Sequence, residues 1–354
     1  MKHFKLVIIL AMLAMVIASC SSDTGGNQGN ATPTPVKVNG FGTAANHVHA
    51  MLMLPPQVLV LATHYGLFRS QDDGASWQEV AAGPGQLMDG LMTYALSVSP
   101  VNPQRLYVLT LPALANHKGV VGLYTSADQG RTWKMAIAAS SVSASSIFTA
   151  AAGNDTPDEV YIYLSELGSL GLRRSLDDGQ HFSSTGQLPF DTIFGILAIP
   201  GAPGHLLIYS SQGLASSTDG GIHWQVYKNI QGGIEDVVTA GPHSPIYASG
   251  DAGVYVSQDS GASFKQVYSQ SAYFSLTVSP QQPQVIYGKT GTAIYRSTDG
   301  GHSWQSLPHI QGNLGNLAVD LNNPSVVYLS LSYPTEVYRL SQDGKNWTSI
   351  TPPA

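Results

Sequence analysis

Cysteine is all but missing from this sequence. Its 354 residues contain one, Cys20, so no intrachain disulfide can staple the fold. Charge is scarce too. Asp, Glu, Lys and Arg make up 11% of the chain, against about 25% in an average soluble domain. The surface must therefore be built largely from Ser, Thr, Gln, Asn, Gly and Tyr. There is no basic excess, because the net charge is −6. That argues against nucleic acid as a partner, since affinity for a polyanion rests on neutralised phosphates. After residue 18 no apolar run approaches the ~20 residues that a membrane-spanning helix needs. The 37 Gly and 21 Pro are spread too evenly for a collagen or a wholly disordered chain. They suit a fold with many turns.

The one long apolar run sits at the N-terminus. Lys2 and Lys5 precede 13 uninterrupted apolar residues, 6–18. That is short for a membrane span but suits the core of an export signal. It ends in Ile17-Ala18-Ser19-Cys20, which resembles the lipobox of bacterial lipoproteins. The resemblance implies that residues 1–19 are removed and that Cys20 is lipidated. Placing the sole cysteine there gives it a use. Residues 20–39 are polar and rich in Gly, Pro and Thr, with little to bury, and read as a flexible tether. Residues 40–354 are the folded part. The expected location is outside the cytoplasm, on the outer face of the cytoplasmic membrane or on the cell surface, with Ser21 and Ser22 giving no inner-membrane retention signal. Contact with the membrane would be through the lipid alone.

One motif recurs seven times. It begins with Ser70-Gln-Asp72-Asp-Gly74-Ala-Ser-Trp77 and returns at Asp128, Asp177, Asp219, Asp259 and Asp299, and one residue shorter at Asp343. The leading serines are 56, 49, 42, 40, 40 and 44 residues apart, the period of a four-stranded propeller blade. The motif, S-x-D-x-G-x-x-W/F, is similar to the Asp box, or BNR repeat. Its physics is that of a structured turn. The Asp accepts backbone N–H groups, the Gly takes positive φ, and the aromatic packs back beneath the turn. All five Trp residues are spent on these boxes. The seven Asp residues are therefore structural.

The fold class that follows is all-β: a seven-bladed propeller of four-stranded blades. The cleanest blade reads as strands at 274–278, 285–289, 293–297 and 304–307, by alternation and β-branched or aromatic content. The second blade aligns at 94–98, 106–110 and 122–126. The seventh aligns at 317–321, 326–329, 337–341 and 347–351. Ten of the 17 Tyr residues fall at repeated strand positions and read as packing between blades. Residues 36–38 are a possible edge strand closing the ring.

Asp boxes and Ser-Pro-x-x-Pro turns share one rim. Residues that the repeat does not need collect on the other. His47 and His49, two apart, share one face of the first innermost strand. His64 and Tyr65 occupy the hairpin loop of that blade, and His117 the equivalent loop of the next. Asp89, Asp191, Glu235 and Asp236 stand near the starts of innermost strands. Tyr94, Tyr273 and Tyr333 lie near the same rim. The histidines admit three readings: water-bonded groups in a polar channel, a metal site of His47, His49 and His64, or part of a patch for sugar or peptide. No cofactor is otherwise implied.

The resemblance also raises specific activities. Sialidases carry Asp boxes and grip a carboxylate with three arginines. The seven Arg residues here (69, 105, 131, 173, 174, 296 and 339) crowd around the boxes and second strands, and the family's Arg-Ile-Pro motif is absent. Sialidase chemistry is therefore not expected. Xyloglucan-cleaving relatives use two such propellers and a carboxylate pair across the cleft. Asp89, Asp191, Glu235 and Asp236 are the candidates for such a pair. The first blade (His47-Val-His49, then residues 62–68) resembles exported lipoproteins called glycosyl-hydrolase-like. The chain also resembles photosystem II assembly-factor propellers and the sortilin ring, which bind peptides or proteins. The expectation is a tethered module binding a glycan, a peptide or an envelope protein, with glycoside hydrolysis as the alternative. No oligomeric state follows from the sequence.

Overall fold

A computed structural model describes residues 46–142, 147–270 and 275–351. Cys20, the tether, residues 36–38 and Tyr273 lie outside them. The described residues form seven four-stranded antiparallel sheets, each made of consecutive strands. The innermost strands are β1 (Val48–Leu54), β5 (Leu91–Val98), β9 (Thr149–Ala152), β13 (Gly195–Ala198), β17 (Ile234–Thr239), β21 (Ser275–Val278) and β25 (Asn313–Val319). Each packs against the next, and β1 packs against β25, so the ring is closed. Among the described residues no helix is long and apolar enough to cross a membrane.

The boxes fold as the motif predicts, with one participant more. In the fifth box Asp259 Oδ1 accepts the Ser263 amide at 2.9 Å. The leading serine is the buried hub. Ser257 Oγ donates to Asp259 Oδ1 at 2.8 Å and accepts the Gly261 amide at 2.8 Å. The box glycines have φ between 71° and 90°, the region L residues resist. Trp133, Trp224 and Trp304 each donate the indole N–H to the carbonyl of their own box glycine, at 3.0–3.1 Å. These tryptophans thus belong to the turn. That is why the outermost strand of the sixth blade, Gln305–Ser306, starts after Trp304 rather than at it; beyond it the Leu307 amide still donates to the Ile294 carbonyl at 2.9 Å, within the expected 304–307.

Tyrosines tie neighbouring blades. The hydroxyls of Tyr107, Tyr247 and Tyr287 reach the carbonyls of Pro157, Pro283 and Pro324 in the next sheet, at 3.4, 2.9 and 2.8 Å. Arginines do the same. Arg105 bridges Asp158 and Asp178 at 2.6 and 3.0 Å. Arg69 donates to the Gln129 carbonyl at 2.9 Å.

Among the described residues, the seam between first and last blades has no exchanged strand. The seventh sheet is completed by β28 (Trp347–Ser349) from its own sequence. Side chains join the two ends. Trp77 Nε1 donates to the Ile350 carbonyl at 3.1 Å, and Gln57 Nε2 to Asp320 Oδ2 at 2.9 Å. A Cβ on Gly74 would lie 2.3 Å from Ile350 Cδ1, so the first box needs glycine for this contact as well as for its turn. Leu59, Leu61 and Phe68 pack with Val326, Tyr328 and Val337 in one core across the seam.

Candidate functional site

Asn46 organises the polar end of the seam. It is fully buried. Its Oδ1 accepts the Tyr65 amide at 2.9 Å, and its carbonyl accepts the Tyr333 amide at 3.1 Å. One residue thus holds the hairpin loop of the first blade and a loop of the seventh. That hairpin is narrow for a local reason. Gly66 has φ +125°, and a Cβ there would meet the Phe68 ring at 2.4 Å. Thr63 Oγ1 and Thr93 Oγ1 both donate to the Gly66 carbonyl, at 3.0 and 3.1 Å. His64 is fixed by its amide, which donates to the His47 carbonyl at 2.9 Å.

These constraints bring three imidazoles together. Ring centres of His47 and His49 are 4.5 Å apart, those of His47 and His64 4.9 Å, and those of His49 and His64 6.2 Å. One ring nitrogen from each lies within 4.8 Å of the others. Tyr333 stacks on His47 at 4.7 Å, and Tyr65 meets His64 edge-on at 4.5 Å. Tyr333 is half exposed and its backbone sits at φ 60°, an uncommon position for a bulky residue. Burial, then the charge of neighbouring imidazoles, pushes His49 down to about 3 and His64 to about 4. Both are neutral at pH 7. His49 Nε2 and His64 Nδ1 are buried without a hydrogen-bond partner, each at a cost of about 1–3 kcal/mol.

The other expected residues are spread around the ring. Asp89 and His117 share the outer loops of the second blade: Asp89 Oδ2 accepts the Gly85 amide at 2.8 Å, and the His117 ring bonds the Gly119 carbonyl at 2.9 Å. Asp191 is exposed at the start of the fourth blade. Tyr94 donates to the Ile147 carbonyl of the third blade at 2.5 Å, and burial raises its hydroxyl pKa. Glu235 is exposed, whereas Asp236 turns inward after a bulge in β17. Asp236 accepts the Val237 and Leu276 amides at 2.9 and 2.8 Å. Burial pushes it up to about 6, with those hydrogen bonds and the charge of Lys289 opposing. Tyr209, buried beside Asp236 and Glu235, is raised for the same primary reason. Of the four carboxylates, only Glu235 and Asp236 are thus brought to one place.

The opposite half of the channel holds what the sequence reading did not single out. The ends of all seven innermost strands enclose a cavity of about 510 Å³, within the usual range for ligand pockets, ~300–1,000 Å³. Neither a charged nor an aromatic side chain lines it. Leu52, Ile196, Leu197 and Leu317 supply apolar surface, and six prolines ring its rim: 55, 100, 103, 200, 242 and 280. The repeated Pro after an innermost strand was the available signal. It reads first as turn chemistry.

No protein-family model matches the chain, and neither does any curated protein sequence. Solved structures match by shape. A GH74 enzyme of Niastella koreensis superposes with a TM-score of 0.68 at 14% identity, over 88% of this chain and 55% of its own. A GH74 xyloglucanase from Xanthomonas campestris gives 0.63 at 18% identity, over 87% of this chain and 55% of its own. YCF48 bound to D1 peptide gives 0.60 at 14% identity, over 85% of this chain and 94% of its own. The chain thus spans just over half the length of the two GH74 enzymes. At these identities the likeness is one of fold.

Proposed function

We propose that this propeller is a tethered binding module for an extended peptide segment, held outside the cytoplasm by lipid on Cys20. One observation carries the choice of peptide: the channel cavity is free of charge and of aromatic rings. Sugar sites need flat aromatic faces or dense hydrogen-bonding groups, and hydrolysis of a glycoside needs two carboxylates at the reacting bond. An uncharged, mostly apolar, Pro-rimmed cavity takes an apolar side chain, while the facing strand edges offer backbone groups to a peptide main chain. The peptide-bound neighbour of similar fold and nearly equal length agrees with this reading. Tyr65 and Tyr333 at the other mouth are further contact surface in this proposal, as is Tyr273.

An array of extended peptides run beside a glycan array tests it. Peptide hits lost in Thr277→Arg, which puts a charge into the cavity wall, are the expected result. Release of reducing sugar from a polysaccharide, abolished by Asp191→Asn or Glu235→Gln, would overturn it in favour of a hydrolase.

A further inference from the structure

We propose that His47, His49 and His64 form a binding site for a divalent late transition-metal cation of the zinc class, with one coordination position left open. Three observations carry it. The three ligand nitrogens already lie within 4.8 Å of one another. A zinc ion with Zn–N bonds of ~2.0–2.1 Å needs nitrogens roughly 3.3 Å apart, so each ring has to close in by about 1 Å or less. Two of the imidazoles, His49 and His64, keep buried ring nitrogens that no protein group satisfies. Finally, the backbone that carries them is held from three sides. The His64 amide is bonded to the His47 carbonyl, Asn46 pins both flanking loops, and Asn316 Nδ2 donates to the His49 carbonyl at 3.5 Å.

The ligand chemistry narrows the cation. Imidazole nitrogen suits Zn, Cu and Ni, while Mg and Ca require oxygen. Three histidines with an open fourth position are the donor set of reactive rather than purely structural zinc sites. Among the described residues no carboxylate joins the cluster. The open position is therefore filled by hydroxide, or by an anionic group such as a carboxylate on an incoming ligand, which offsets the charge of the ion. Tyr333 and Tyr65 stand over the cluster as its walls.

The site is independent of the cavity at the other end of the channel, so either proposal can fail alone. The test uses the untagged mature chain, stripped with chelator and titrated with ZnCl2 in a calorimeter and with Co2+ in a spectrophotometer. One ion per chain is expected, together with the intense visible bands of four-coordinate cobalt. His49→Gln and His64→Gln should each weaken zinc by more than about 100-fold, beyond the 10–100-fold that outer-shell changes give. His309→Gln, at an exposed position, should change nothing. Absorption spectroscopy at the zinc edge needs no substitution and should count three imidazoles. Substoichiometric uptake, fewer than three imidazoles on the bound ion, or unchanged affinity in both folded variants would overturn the site.

Discussion

Replacing the hub serine of one box tests how these turns are held. Ser257 is 1% exposed. Its Oγ accepts the Gly261 amide at 2.8 Å and donates to Asp259 Oδ1 at 2.8 Å. In Ser257→Ala the buried Gly261 N–H loses its acceptor, which costs about 1–3 kcal/mol. Asp259 loses less, because it is exposed and keeps the Ser263 amide at 2.9 Å. The sum is about 2 kcal/mol. The unfolding entropy of roughly 300 residues is about 0.6 kcal/mol per degree, so the midpoint should fall by about 3 °C. The seventh box supplies the internal control. Ser341 there accepts the exposed Asn346 amide at 3.0 Å, a bond water can replace, and Ser341→Ala should shift the midpoint by less than about 1 °C. Ser126→Ala, at a buried hub three blades away that accepts the Gly130 amide at 2.8 Å, should add to Ser257→Ala. Differential scanning calorimetry reads the parent, the three single variants and the Ser126/Ser257 double variant. Equal shifts for Ser257→Ala and Ser341→Ala would refute the claim that the serine acts through a buried amide.

Asp236 gives a pH signature. Its folded pKa of about 6 lies above the ordinary aspartate value of 3.8, so its contribution to stability is full below about 3.8 and lost as pH rises through about 6. Two units correspond to at most about 3 kcal/mol, lowered by whatever water enters the channel; urea midpoints at pH 4.5 and 7.5 should converge in Asp236→Asn, and parallel pH curves for the two proteins would count against burial as the cause. Trp77→Phe removes the indole bond to the Ile350 carbonyl and should speed hydrogen exchange across residues 336–351, while Trp133→Phe, which breaks a bond inside its own turn, should leave that segment protected. Cys20→Ser should move the protein from the membrane fraction to the soluble exported fraction; retention in the membrane fraction would dismiss the lipid tether.

The ring was legible because the boxes fix the register of everything between them. Seven spacings near one blade length left few other architectures, and the strand assignments around them needed only local revision. The revisions have identifiable causes. β25 begins at Asn313 rather than 317 because a bulge between Leu314 and Leu317 lets it pair further back. β5 starts at Leu91, ahead of the expected 94, because its partner strand runs on to Pro112 and keeps pairing. The histidine cluster was readable in part. Spacing put His47 and His49 on one face, and the hairpin placed His64 at the same end. The stacking of Tyr333 on His47 depends on a positive φ that no sequence pattern announces. The apolar cavity was hidden for a different reason. Alternation sorts a strand into two faces, but an innermost propeller strand has a third exposure, the edge toward the channel. Leu52 and Ile196 therefore read as ordinary core positions.

The unequal ends of the channel follow from how the ring is made. Where each innermost strand ends, the chain turns into the next strand of its own blade, with a proline in most copies, so that end of the channel is built from repeated parts. Its lining is accordingly uncharged and mostly apolar. The seam is the one place where the repeat places no such demand, because sheets distant in sequence meet there. Asn46, His47, His49, His64 and Tyr333 all lie at that seam, and none is required by the box or the blade. A repeat protein can change residues at its junction without disturbing the geometry that its copies share. Specialised chemistry in this chain should therefore concentrate at the junction of the first and seventh blades. A scan of equivalent loop positions in the third to sixth blades should find substitutions tolerated there that abolish metal uptake at the seam.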